Sequence, residues 1–218
     1  MKNSAKIFID FDDTLFNTAA LKKSLIKMFE ANGVSKSDFL SSYKDYPTVM
    51  HGSLKKYDPY KQIGVLKKRL GIDKIKIKSD LEKLVGSSQK FVFRDAHPFL
   101  KNFERKDLFL VSFAKTDFQC RKIGNSGLVG EFSKVIVSDK SKAEIIGKIL
   151  GKNKSKIIFI DDRIDQIDAV KKKFPDSIAF LMARRSGRFK ERESKFVDFE
   201  VKNLKEAERI IKNKIRIN

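Results

Sequence analysis

Five short, mostly apolar runs recur along the chain, and most are separated by stretches with helical periodicity. They are Lys6–Phe11 (KIFIDF), Leu108–Phe113 (LFLVSF), Lys134–Val137, Lys156–Ile160 (KIIFI) and Ser177–Met182. Runs this short and this continuous read as strands buried on both faces. Helices are predicted over Ala143–Leu150, ended by Gly151, and over Ile164–Lys173, and Asn203 with Glu206 forms a capping box for a last helix. Strands alternating with helices predict a Rossmann-like parallel sheet core with helices on both faces.

The alternation is interrupted once. Residues 17–89 carry helical signals and no strong strand run. Leu21, Leu25, Ile26 and Phe29 share one face of a helix from Thr18 to about Ala31, which Gly33 ends. Asp58-Pro59 opens a helix that runs to Leu70 and stops at Gly71. Ser79 is placed to cap a short helix through Leu84. The block reads as a small all-helical cap domain inserted after the first strand. That gives residues 1–16 and 90–218 as the core and 17–89 as the cap.

Composition excludes several classes. With 218 residues, 41% of them hydrophobic, the chain has material for a core and is not a disordered polyelectrolyte. One cysteine, Cys120, excludes a disulfide framework and a thiolate zinc site. The apolar runs are too short to span a bilayer. Met1–Asp10 enters a strand pattern at once and leaves no room for a signal peptide, so a soluble cytoplasmic protein is expected. The net charge is +20. Lys outnumbering Arg, with abundant Ile, Phe and Asn, is the mix an AT-rich coding bias yields. Such a surface attracts polyanions by long-range steering. Residues 17–89 hold 15 basic and 7 acidic side chains, a net of +8, and the remainder +12. The charge is spread along the chain, which argues against a dedicated nucleic-acid module.

The chemistry-bearing residues fall at the carboxyl ends of predicted strands, where open α/β sheets bind ligands. Asp10-Phe11-Asp12-Asp13-Thr14 follows KIFI and puts three carboxylates in four residues. Clustered acids at an apolar strand end are costly unless a cation neutralises them, and Mg²⁺ is the natural oxygen-ligated one. Asp161-Asp162 follows KIIFI in the same way. Ser112 ends LFLVS with a hydroxyl suited to a phosphate oxygen. Lys140-Ser141-Lys142 opens a helix, where an ammonium opposes the helix dipole unless an anion intervenes.

DxDxT after the first strand, a Ser-terminated strand, a lysine and a strand ending in two aspartates resemble the haloacid dehalogenase (HAD) superfamily of phosphoryl-transfer enzymes. The resemblance spans nearly the whole chain, including Phe199–Ile211 (FEVKNLKEAERII), which is similar to that superfamily's closing strand, loop and helix. It implies Asp10 as the nucleophile and Asp12 as the general acid and base. It implies Mg²⁺ held by Asp10, the Asp12 carbonyl and Asp162, with Asp161 assisting. Ser112 and Lys142 or Lys140 would bind the phosphoryl oxygens, and Thr14 would orient the turn. Lys142 lies at the helix start, whereas Lys140 matches members with a KPxP loop.

The sequence also departs from the pattern. Asp13 stands where Gly is common, and Phe113-Ala114 follow Ser112 where many members have Asn. The usual second acid falls on Gln166, with Asp165 beside it. In the resemblance, dehalogenases and phosphonate hydrolases lack an acid at the position of Asp12. A Mg²⁺-dependent phosphomonoesterase acting on a small phosphorylated metabolite, a sugar phosphate or nucleotide, is therefore implied, with a monomer or homodimer as its state. The alternatives are a phosphosugar mutase of the same superfamily and a basic nucleic-acid-binding protein with weak or lost catalysis. Arg184–Arg192 (RRSGRFKER) is the segment that would make non-specific nucleic-acid contact or approach the mouth of the site.

Overall fold

The first apolar run is the middle of the sheet. In a computed structural model, which describes residues 5–45, 50–51, 54–55, 57–153, 155–189 and 193–214, it forms β1 (Lys6–Ile9). β4 (Leu108–Phe113) pairs with it on one side and β6 (Ile157–Asp161) on the other. β5 (Lys134–Ser138) extends the sheet beyond β4, and β7 (Ile178–Met182) and β8 (Phe199–Val201) beyond β6. The order is β5-β4-β1-β6-β7-β8 and every pair is parallel. The chain builds outward from β1 in one direction and then in the other. The crevice at the carboxyl end of β1 is thus a topological switch point, the usual ligand site of such sheets.

Burial on both faces explains the unalternating runs. On one face Phe8, Phe109, Val111 and Phe159 pack with Ile145 and Ile146 of α7 (Lys142–Leu150) and Ile167 and Val170 of α8 (Ile164–Lys173). The Phe8 and Phe109 rings stack at 4.9 Å. On the other face Ile7, Ile9, Leu110, Ile158 and Ile160 are no more than 1% exposed. Truncating Phe8 to Ala would cost about 3–5 kcal/mol at such a site. The last helix, α9 (Leu204–Lys214), starts where the capping box places it: Asn203 Oδ1 accepts from Glu206 N at 3.0 Å.

The chain divides into two compact units, Met1–Ala19 with Val92–Phe113 and Leu128–Asn218, and Ala20–Phe91 with Ala114–Gly127. The first holds the sheet, together with α5 (Ala96–Leu100), α7, α8 and α9. The second holds most of α1 (Thr18–Glu30), then α2 (Lys36–Asp45), α3 (Pro59–Leu70), α4 (Lys74–Gly86) and α6 (Asp117–Gly124). α6 comes from outside residues 17–89 yet groups with their helices.

The second unit is not all-helical. A two-stranded antiparallel ribbon joins β2 (Met50–His51) to β3 (Leu54–Lys55). Each strand is two residues long, too short for a periodic signal, although Gly52-Ser53 between them is a turn composition. α4 also starts earlier than Ser79 suggests, because Asp73 is its cap and accepts from Ile75 N and Lys76 N at 2.9 and 3.0 Å. Within this unit Phe29 meets Phe39 at 5.0 Å, and Gln62 Nε2 donates to Phe39 O and Ser42 Oγ.

Candidate active site

Three strand-end carboxylates converge. Asp10 N donates to Ile160 O at 2.9 Å, which continues the β1–β6 register by one residue and sets Asp10 beside Asp161. Asp162 follows directly. The three are 6%, 0% and 4% exposed, and each offers a carboxylate oxygen within 4.8 Å of the others. Lys142, the first residue of α7, reaches the same cluster, itself 2% exposed. Its Nζ lies 2.5 Å from both Asp10 Oδ1 and Asp161 Oδ2.

The electrostatics follow from burial. Burial raises the Asp10 carboxyl from 3.8 to about 7, with Lys142 opposing and Asp161 and Asp12 adding to the rise. Burial likewise lifts Asp161 and, together with Asp10, Asp161 and Asp13, lifts Asp162 well above the usual range. Burial would favour a neutral Lys142, but Asp10 and Asp161 outweigh it and hold the ammonium charged. When all three acids are ionised, the one ammonium leaves the cluster negative.

The turn after Asp10 is tightly built. Leu15 N and Phe16 N both donate to Phe11 O, and the Phe11 and Phe16 rings stack at 4.8 Å. Asp13 has φ 57°, a left-handed conformation that Asp tolerates better than most residues. Asp12 Oδ1 accepts from Thr18 Oγ1 at 2.6 Å.

Two arginines from the segment after β7 hold this turn. Arg184 Nη2 donates to Thr14 O at 2.8 Å, while Nη1 and Nη2 grip Asp95 at 2.8 Å each. Its guanidinium lies 3.9 Å from the Phe93 ring centroid. Arg188 Nε donates to the fully buried Asp13 at 2.5 Å. Arg184 and Arg188 therefore engage the protein's own groups; Lys190 and Arg192 lie outside the described residues.

No protein-family model matches the sequence, and no curated protein matches it. Solved structures do match, over nearly the whole chain. A haloacid dehalogenase-like hydrolase of Burkholderia xenovorans superposes with a TM-score of 0.70 at 16% identity, covering 95% of this chain and 96% of that one. The HAD-hydrolase YfnB of Bacillus subtilis, bound to magnesium, gives 0.66 at 17% identity, covering 97% and 100%. L-2-haloacid dehalogenase of Xanthobacter autotrophicus, with chloropropionic acid covalently bound, gives 0.64 at 15%, covering 97% and 99%. The chain has the haloacid dehalogenase (HAD) fold.

Within this HAD fold the two candidate lysines separate. Lys142 reaches Asp10 and Asp161, whereas Lys140 is exposed and lies beside Lys148, whose ammonium it pushes down. Ser112 is 2% exposed in β4, paired with Val137 of β5. Thr14 is fully buried and serves the turn through its carbonyl; its Oγ1 has no hydrogen-bond partner among the described residues. Asp165 is drawn to Arg163, whose Nε and Nη2 donate to it at 2.8 and 2.5 Å, and Gln166 Nε2 donates to it as well. The carboxylates grouped for a metal are therefore Asp10, Asp161 and Asp162, without the Asp12 side chain, which is turned to Thr18.

The residues suit a hard divalent cation. Asp162 Oδ2 is buried with no hydrogen-bond partner among the described residues, and every donor atom in the cluster is a carboxylate oxygen. Sequence reasoning missed Thr18, Asp95 and the individual roles of Arg184 and Arg188. A hydroxyl six residues after Asp12 was a visible but weak signal. Arg184 and Thr14 are 170 residues apart, and no local pattern reports such a pair. Among the described residues no helix is long and apolar enough to cross a membrane.

Proposed function

We propose that the protein is a Mg²⁺-dependent phosphomonoesterase working through an aspartyl-phosphate on Asp10. The observation that carries this reading is Asp12, an acid two residues beyond Asp10 and aimed by Thr18. A dehalogenase has no need of a proton donor there, because halide leaves as a stable anion. An alkoxide leaving group does need one.

In this reading Asp10 attacks phosphorus and the leaving oxygen takes its proton from Asp12. Asp12 then accepts a proton from the water that opens the acyl phosphate. Asp10, Asp161 and Asp162, with the Asp12 carbonyl, would hold the cation. Bound there, Mg²⁺ would neutralise phosphoryl charge and lower repulsion between the substrate and the acids. Lys142 favours the ionised form of Asp10 against the effect of burial and would share the charge that spreads over the phosphoryl oxygens, with the Ser112 hydroxyl as a further donor. Arg184 and the Phe11–Phe16 stack keep the turn rigid, so that Asp10 and Asp12 stay aligned.

The test is phosphate release from an aryl phosphate and a panel of phosphorylated metabolites, with Mg²⁺, with EDTA and with Asp10→Asn. A parallel arm measures chloride release from 2-chloropropionate. Mg²⁺-dependent phosphate release that Asp10→Asn abolishes supports the proposal. Chloride release without phosphate release sinks it.

A further inference from the structure

Arg188 is a second cation at the carboxylate cluster, and it is presented differently from Lys142. The Lys142 side chain is 2% exposed and enclosed by its two acids. The Arg188 side chain is 41% exposed, although Asp12, Asp13 and Asp162 all act on it. Among the described residues its guanidinium is hydrogen-bonded through Nε alone. A guanidinium carries five donors in a planar fork, so the four on Nη1 and Nη2 remain available. Such a fork matches the two oxygens of a carboxylate or phosphate.

The mounting is rigid. Asp13, fully buried, accepts from Nε. The Phe189 ring centroid lies 5.1 Å from the Arg163 guanidinium carbon and 5.6 Å from that of Arg188. Gly187 allows the backbone to fold against Arg184, where a Cβ would come within 3.1 Å of Arg184 O. Arg184 in turn is anchored on Thr14 and Asp95. A glycine would meet the left-handed geometry of position 13 at lower conformational cost. What aspartate adds there is a carboxylate, and Arg188 is what that carboxylate holds.

We infer that Arg188 binds a second anionic group on the substrate, a phosphate or carboxylate carried by the portion that leaves, with Asp13 as its positioning residue. The inference deepens the phosphomonoesterase reading and rests on it for the placement of the first phosphoryl group at Asp10. It narrows the substrate class to phosphate esters whose alcohol is itself acidic.

Calorimetric titration of the Mg²⁺-loaded full chain tests this by binding alone. Methylphosphonate supplies one anionic group. Phosphonoacetate adds a carboxylate, and methylenediphosphonate adds a second phosphonate. The protein is expected to bind one of the two dianionic probes at least about tenfold more tightly than methylphosphonate; which of them wins distinguishes a carboxylate from a phosphate partner. Arg188→Gln is expected to erase the preference while leaving methylphosphonate affinity within about threefold, and Asp13→Asn to reduce it. Equal affinity for all three probes in the unaltered chain overturns the inference, as does a preference that survives Arg188→Gln. Should Arg188→Gln melt early, Arg188→Lys keeps the charge without the fork, and an unchanged preference there overturns it too. The two readings fail separately. Phosphate release without a dianion preference removes this inference alone. An Arg188-dependent preference in a protein that releases no phosphate removes the phosphomonoesterase.

Discussion

Lys142 Nζ stands 2.5 Å from Asp10 Oδ1, joining the opening residue of α7 to the strand end 132 positions earlier. The same ammonium is shared with Asp161 at equal distance. Removing it would leave two buried carboxylates facing each other. Lys142→Ala is therefore expected to destabilise the metal-free protein by about 3–5 kcal/mol and to lower phosphate turnover by about 10²–10³. Urea denaturation and steady-state kinetics measure the two effects. Asp10→Asn is expected to leave metal-free stability unchanged or raise it, since Lys142 keeps Asp161 and one negative charge is gone. A large loss of stability in that variant would contradict this balance.

The raised carboxyls give the metal-free protein a definite pH response. Asp10 titrates near 7 in the fold, against 3.8 for the free side chain, and Asp161 and Asp162 are lifted in the same direction. Between those values the folded chain holds protons that the unfolded chain has released. Stability therefore falls as pH rises through the window from about 4 to about 7. A divalent cation binds the ionised carboxylates, so its stabilising effect must grow across the same window. Melting curves with Mg²⁺ and with EDTA, from about pH 5 to about pH 8, should diverge as pH increases. Parallel curves would show that the three acids do not bind the ion.

Thr18 is predicted to act on Asp12 and on nothing else in the reaction. Its hydroxyl donates to Asp12 Oδ1 at 2.6 Å. Thr18→Val keeps the shape and removes the donor. The expected result is a fall of about tenfold in kcat with little change in KM, and recovery in Thr18→Ser. A change confined to KM would place Thr18 in substrate binding.

Arg184 is predicted to be structural. Its guanidinium is 7% exposed as a residue and joins Thr14 O, Asp95 and the Phe93 ring. Arg184→Met would fill the space and strand Asp95 with only its contact to Leu204 N. A loss of about 3 kcal/mol is expected, with metal affinity and turnover reduced in proportion to unfolding. Full stability with selective loss of turnover would give Arg184 a direct catalytic part.

The sequence announced the parts of the fold whose signals are local. Ile164–Lys173 is helical over its predicted span because its apolar residues recur at helical spacing and Arg163 precedes it in extended form. The strand ends were legible because an apolar run stopping at adjacent acids is rare. Lys142 and Lys140 could not be separated in sequence, since each is a lysine at the same helix start; only the three-dimensional approach to Asp10 distinguishes them. α4 starts at Lys74, capped by Asp73, because that cap outranks Ser79 once Ile77 and Leu81 are both buried. The arginines were visible as charge but not as partners, because Arg184 and Arg188 find Thr14 and Asp13 across 170 and 175 residues of chain.

The central position of β1 bears on how the protein is made. The strand that carries Asp10 is synthesised well before its sheet neighbours Leu108–Phe113 and Ile157–Asp161. At ordinary synthesis rates roughly 8–30 s separate the appearance of β1 from that of β6. Until β4 appears the apolar KIFI segment has two unpaired edges, and until β6 appears it still has one. Folding of this chain is therefore expected to be slow and sensitive to chaperone supply, since long-range parallel pairing must close before the core exists. The aspartates that end the segment also break the apolar run, and they discourage its pairing with a second nascent copy of itself.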